Sequence, residues 1–287
     1  MGGLSLIPAK EIFVSVFAQT DVGMKRQANE DTYLIADLNS GNSNLRFGVT
    51  SHRVGDRGSL MIVSDGMGGH RAGDVASDLA TQIVLDSLLN FPETLQASER
   101  LDRATRIANR IVCNCSEKNP ELAGMGTTMT AVLVEGTNAY ISQVGDSRAY
   151  LIRDDDITQL TRDQSLLQLL LDTGQLEPTD AASQPNNVIM QAIGISPYLE
   201  PEITNVELRR DDYLVICSDG LSNKIEPQEI LEVVQAAVRL DIACRKLVAM
   251  ANARGGEDNI TVIIARFDGE AFDSRSRNEI LRVHSIN

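Results

Sequence analysis

Short runs of apolar residues punctuate the chain. Ile12–Ala18 alternates apolar and polar positions, Ser59–Ser64 and Tyr213–Ser218 are almost continuously apolar, and Thr32–Ala36 follows an acidic cluster. Thr127–Val134, Asn138–Val144, Arg148–Arg153 and Asn259–Phe267 are rich in Val, Ile, Thr and Tyr. Each run is short and bounded by turn residues, which predicts strands. Gly136-Thr137-Asn138 and Gly145-Asp146-Ser147 read as tight connections between successive antiparallel strands.

A longer period marks the helices. Asp74–Leu89 places Val75, Leu79, Ile83 and Leu88 near one face, and Ser98–Cys115 does the same with Leu101, Ala104, Ile107, Ala108 and Ile111, with Ser98 as N-cap. Pro227–Leu240 and Asp241–Ala253 form a late pair, the second closed by Gly255-Gly256. Ser165–Asp172 reads as a shorter helix stopped at Gly174. The polar stretch Asn39–Gly58 reads as an insertion, and the charged tail after Phe267 as frayed or a short helix.

The order is strands, two helices, strands, a mixed loop, a strand, two helices and a strand. Without βαβ alternation a parallel doubly wound sheet is disfavoured. Antiparallel sheets covered by helix pairs fit, which predicts an α+β fold, a four-layer α-β-β-α sandwich.

Composition narrows the function. The 287 residues are 43% hydrophobic with no Trp and only 4% aromatics, enough for a packed, mainly aliphatic core. A net charge of −14 disfavours nucleic acid as a partner. Cys113, Cys115, Cys217 and Cys244 contain no CxxC pair, so reduced thiols in a cytoplasmic protein are expected. The N-terminal stretch does not read as a signal peptide, and no apolar run is long enough to span a membrane.

The acidic residues change the picture when placed on this map. Glu30-Asp31 start a strand, Asp65-Gly66 end one, Asp146 sits in a tight turn, Asp219-Gly220 end another strand, and Glu257-Asp258 begin the last. Asp-Gly is common turn chemistry taken singly. Carboxylates brought together from several strand ends would repel unless cations lay between them, and an oxygen-only ligand set suits Mg²⁺ or Mn²⁺. Paired ions about 4 Å apart are a common device for hydrolysing phosphate esters. Gly66 and Gly220, the glycines after Asp65 and Asp219, let the backbone approach closely.

These residues lie in motifs that run in order: Gly23-Met-Lys-Arg-Gln-Ala-Asn-Glu-Asp31, Val63-Ser-Asp-Gly-Met-Gly-Gly-His70, Gly126-Thr-Thr-Met-Thr130, Val144-Gly-Asp-Ser-Arg148, Leu160-Thr-Arg-Asp-Gln-Ser165, Cys217-Ser-Asp-Gly-Leu221 and Glu257-Asp-Asn-Ile-Thr261. Together they resemble the metal-dependent protein phosphatases, the protein phosphatase 2C family, and especially its short bacterial members. The resemblance implies a single catalytic domain over 1–287 with a flap at about 161–205. It implies two Mn²⁺ or Mg²⁺ ions, with a weaker third, and hydrolysis of phosphoserine and phosphothreonine in proteins by a metal-activated water.

Carried over by position, Asp65 would bridge the metals and Gly66 would offer its carbonyl. Asp219 and Asp258 would ligate the second ion, Asp31 and Glu30 would hold metal waters, and Asp146 would belong to the third site. Arg26 would bind the substrate phosphate. The implied partners are phosphorylated substrates of a Ser/Thr kinase, with no nucleic acid and no membrane, and the protein is expected to be monomeric.

Three positions depart from the family pattern. Met67 stands where many relatives carry a histidine proposed as general acid, Gln164 where relatives often have His, and Asn223 where many place an Asp for the third metal. His70 is read as a surface histidine. The competing readings are a phosphatase-like module that binds phosphoproteins with little turnover, and a metal-dependent phosphoesterase acting on a small molecule.

Overall fold

The computed structural model describes residues 11–41, 49–68, 72–177, 180, 188–272 and 283–286. Two antiparallel sheets form its centre. The first contains β1 (Ile12–Asp21), β3 (Thr50–Arg53), β8 (Arg148–Arg153), β9 (Asp156–Gln159), β11 (Tyr213–Cys217) and β12 (Ile260–Gly269), in the order β3-β1-β12-β11-β8-β9. The second contains β2 (Asp31–Asp37), β4 (Ser59–Met67), β6 (Met129–Glu135), β7 (Asn138–Val144), β10 (Glu202–Glu207) and β13 (Val283–Ile286), in the order β13-β10-β7-β6-β4-β2. A short β5 (Gly126–Thr127) pairs with the end of β4.

Alternation along the strands sends one set of side chains between the sheets and the other under helices. Val14, Ile35, Met61, Val132, Ile216, Ile263 and Phe267 pack between the sheets. Leu60, Ile62, Ala131 and Leu133 face α1 (Ala72–Asn90) and α2 (Ala97–Lys118). Tyr150, Val215, Val262 and Ile264 face α5 (Pro227–Ala236) and α6 (Leu240–Ala253). The helix pairs therefore cover the outer faces, as the α-β-β-α reading expects.

Several details differ from that reading. The second helix starts after Gln96, one residue earlier than expected, and Ser98 does not cap it. On α1 the buried face runs through Ala76, Ala80, Val84 and Leu88, while Val75 turns outward; on α2 Ile111 is exposed. Small alanines seat these helices close to the sheet, so the larger apolar residues mark the face only approximately. The Thr127–Val134 run breaks at Thr128 into β5 and β6. The 39–58 stretch contributes β3, and chain beyond Phe267 contributes β13; both join sheet edges through backbone hydrogen bonds that need no apolar pattern. α3 (Leu166–Asp172) takes Ser165 as its N-cap, but none of its leucines is fully buried.

Candidate metal centre

The five acidic sites converge because antiparallel pairing places their strand ends together. In the β2–β4 register Asp31 stands opposite Asp65. The β6–β7 hairpin and the turn after Val144 bring Asp146 to the same end. β11 and β12 pair side by side, so the residues after Cys217 and before Ile260 lie together; these include Asp219, which opens the one-turn α4 (Asp219–Ser222), and Asp258.

The aspartates are fixed by the residues around them. Asp65 N–H donates to Thr128 Oγ1 at 3.0 Å, and its carbonyl accepts from Thr128 N at 2.8 Å and Thr127 Oγ1 at 2.9 Å. The consecutive threonines after Gly126 thus lock the end of β4. Asp31 is buried, and its Oδ2 accepts hydrogen bonds from Ser218 Oγ at 2.8 Å and Thr261 Oγ1 at 2.7 Å. Ser218 precedes α4 but does not cap it with its side chain; its hydroxyl goes to Asp31 instead.

Gly66 marks a close approach of α1 to β4. A Cβ there would lie 2.1 Å from the Gly73 carbonyl oxygen and 2.7 Å from that of Glu30, so no larger residue fits without moving backbone. Its N–H donates to the Glu30 carbonyl at 3.2 Å.

Burial and mutual repulsion dominate the electrostatics. Burial, with the neighbouring Asp31, Asp219 and Asp258 charges, drives the Asp65 carboxyl well above the usual carboxylate range. Asp31 is pushed up to about 7 by burial, against the pull of its two hydroxyl donors. Asp146 rises to about 7 through burial and the charges of Asp219 and Asp163. Asp219 and Glu30 are also raised, chiefly by burial.

Asp31 Oδ1, Asp219 Oδ1 and Glu30 Oε1 are buried without a hydrogen-bond partner. Unpaired carboxylate oxygens buried among other carboxylates call for positive charge. Among the described residues no three acidic, His or Cys side chains form a ready-made cage.

Arg26 stands at the rim, half-exposed, with Nη2 donating to Asp258 Oδ2 at 2.8 Å. The residue expected to bind phosphate is thus paired with one expected to bind metal. Asn223 donates to Asp219 Oδ2 at 3.0 Å, occupying an oxygen that an acidic residue at 223 would leave free. Gln164 is committed to structure: its Oε1 accepts from Gly145 N at 3.0 Å and its Nε2 donates to the Gln143 carbonyl at 3.3 Å, bracing the turn that carries Asp146. Met67 is partly buried, and His70 lies outside the described residues.

Asn259 and the Arg148–Asp163 pair escaped the sequence reading. The Asn259 side chain accepts from Glu30 N at 2.8 Å and donates to the Val22 and Ala28 carbonyls at 2.9 and 3.0 Å, tying the Arg26 loop to β12. Arg148 grips Asp163 with two parallel bonds at 2.9 and 2.7 Å. All three lie in the ordered motifs. The partners of Asn259 lie far from it in sequence, and only the fold names them.

The comparisons agree with this geometry. A profile for protein phosphatase 2C matches residues 48–252. The chain is 35% identical over 250 residues to the serine/threonine phosphatase stp of Listeria innocua, covering 86% of this chain and 93% of that protein. It is 38% identical to the Mycobacterium tuberculosis serine/threonine protein phosphatase PstP over 72% of this chain and 40% of that one. The catalytic domain of PstP solved with two manganese ions superposes with a TM-score of 0.74 at 33% identity, covering 90% of this chain and 99% of that one. The convergent carboxylates, the sandwich that aligns them and relatives this similar over nearly the whole length place the chain in the protein phosphatase 2C family.

Proposed function

We propose that the chain is a metal-dependent protein phosphatase that removes phosphate from phosphoserine and phosphothreonine side chains. The observation that carries this reading is the convergence of carboxyls from separate strand ends, with buried oxygens that no protein donor satisfies. The names of its relatives as serine/threonine phosphatases support the substrate class.

In this reading Asp65, Asp219 and Asp258, with the Gly66 carbonyl, would hold two divalent ions, and Asp31 and Glu30 would orient water beside them. When bound, Mn²⁺ or Mg²⁺ supplies Lewis acidity, acidifying water and neutralising phosphoryl charge. Asp31 is aimed by Ser218 and Thr261, which leaves one oxygen, Oδ1, for that work. Arg26 takes the substrate phosphate in its planar fork by exchanging Asp258 for a phosphate oxygen. Neither Met67 nor the engaged Gln164 can move a proton there, and no cysteine is needed as nucleophile. Asp146 serves a third, weaker ion, because Asn223 brings no charge to it.

The reading extends to one catalytic domain over 1–287 with a flap at about 161–205, acting as a cytoplasmic monomer on substrates of a Ser/Thr kinase. Among the described residues no helix is long and apolar enough to cross a membrane.

Para-nitrophenyl phosphate hydrolysis titrated with Mn²⁺ is the first test. Turnover that EDTA abolishes, followed by activity on a phosphoserine and phosphothreonine peptide panel, is expected. Turnover indifferent to EDTA would sink the metal reading; binding of phosphopeptides without hydrolysis would favour a phosphatase-like binding module. Turnover of small esters alone would favour a small-molecule phosphoesterase.

A further inference from the structure

The loop that carries Arg26 leaves β1 after Asp21 and enters β2 at Asp31. From Val22 to Ala28 no side chain is buried, and Val22 and Met24 are exposed. Apolar packing therefore does not hold this loop. Its place depends on hydrogen bonds to its backbone.

One buried side chain reaches both stems. Asn259, next to Asp258 and just before β12, donates from Nδ2 to the Val22 carbonyl on the way in and to the Ala28 carbonyl on the way out, and accepts at Oδ1 from Glu30 N. The amide spends both donors and its acceptor, and it cannot be reversed. A flip would set N–H against N–H and oxygen against two carbonyls. An aspartate of the same shape would face those carbonyls with a carboxylate, and an aliphatic residue would leave three backbone groups without their bonds.

Neighbouring contacts extend this tie toward the metal centre. The Glu30 carbonyl accepts from Gly66 N at 3.2 Å and from Ser77 Oγ at 2.7 Å. Met24 N donates to the Gly256 carbonyl at 2.7 Å. Gly23, at φ +78°, lies so near that a Cβ would sit 2.2 Å from the Asp258 carbonyl oxygen. The loop stems and the Asp258 backbone thus move as one unit. Arg26 projects from this unit half-exposed, and a long side chain is aimed only as well as its own backbone is fixed.

We infer that Asn259 is a positioning residue for the substrate phosphate: by holding both stems of the loop beside Asp258, it sets the reach of the Arg26 guanidinium. It touches neither phosphate nor ion. The inference rests on the phosphatase reading and adds a residue that governs substrate affinity without supplying charge.

The test compares wild type, Asn259→Ala, Arg26→Ala and the double variant. Para-nitrophenyl phosphate is the substrate, inorganic phosphate the competing inhibitor, and Mn²⁺ binding is followed by calorimetry. A contact made equally with bound and reacting phosphoryl groups raises KM and spares kcat. Asn259→Ala should therefore raise KM and the phosphate inhibition constant about tenfold, with kcat changed less than about threefold. Mn²⁺ affinity should match wild type. With Arg26→Ala already present, the same substitution should add less than about twofold, because the group it positions is gone. Asn259→Ser repeats the comparison should the alanine variant fail to fold. Equal factors in both backgrounds, wild-type KM and phosphate inhibition in Asn259→Ala, or a loss of Mn²⁺ affinity as large as the loss of phosphate affinity would each overturn the inference. Wild-type protein without EDTA-sensitive turnover would instead overturn the phosphatase reading beneath it, before any variant is compared.

Discussion

At the scale of single residues, the carboxyls of the centre oppose the stability of the fold. Burial pushes the Asp31 and Asp146 carboxyls up to about 7, from an ordinary 3.8. Between those values the folded chain binds more protons than the unfolded one, so stability falls as pH rises from about 4 to 7 and levels off above. With EDTA present, the urea midpoint should therefore decline from pH 4.5 to 7.5, and Asp31→Asn should flatten that slope. Because cations bind the deprotonated carboxyls, Mn²⁺ should raise the midpoint more at pH 7.5 than at pH 5. A midpoint that ignores both pH and Mn²⁺ would contradict a cluster of unpaired buried carboxyls.

Asp65→Asn and Asp219→Asn should each cost more than about 100-fold in Mn²⁺-supported turnover. Ser218→Ala with Thr261→Val, which frees the Asp31 carboxyl to rotate, should weaken Mn²⁺ by about 10–100-fold in a calorimetric titration. Wild-type affinity in that double variant would show that the hydroxyls do not aim Asp31.

At the scale of elements, the site depends on how closely strand ends and helix starts approach. The end of β4, the start of α1 and the loop before β2 meet at Gly66, where the Gly73 carbonyl leaves no room for a side chain. Gly66→Ala should push α1 from β4, costing about 1–3 kcal/mol in urea unfolding. It should lower turnover by more than its effect on stability explains. Wild-type stability and turnover in Gly66→Ala would show that α1 can retreat freely. Part of this was legible beforehand: the two strands ending in Ser-Asp-Gly, at Asp65 and Asp219, are local signals. Asn259 was not, because its partners Val22, Ala28 and Glu30 lie more than two hundred residues away in sequence. The edge strands β3 and β13 were missed for a related reason, since a strand paired on one side needs no buried face.

At the scale of the whole molecule, the two sheets act as one rigid frame that aligns the acidic ends. β12 is central to it, paired with β1 and β11 and packed on both faces. Phe267 is fully buried between the sheets, and Phe267→Ala should cost about 3–5 kcal/mol in urea unfolding. A cost below about 1 kcal/mol would mean that the inter-sheet layer can collapse around the loss.

The sequence by itself determined the class of the molecule and the identity of its acidic groups. Strand and helix periods, Asp-Gly at strand ends and motifs in order are local patterns, written in neighbouring residues. Tertiary structure alone decided that Asp31 faces Asp65, that Ser218 spends its hydroxyl on Asp31, and that Arg26 rests on Asp258. It also decided that Gln164 braces the Asp146 turn instead of handling protons, and that Asn259 ties both stems of the Arg26 loop to β12. Register and layer stacking bring together residues that no local period relates, and the burial they impose turns ordinary carboxyls into a site that favours cations.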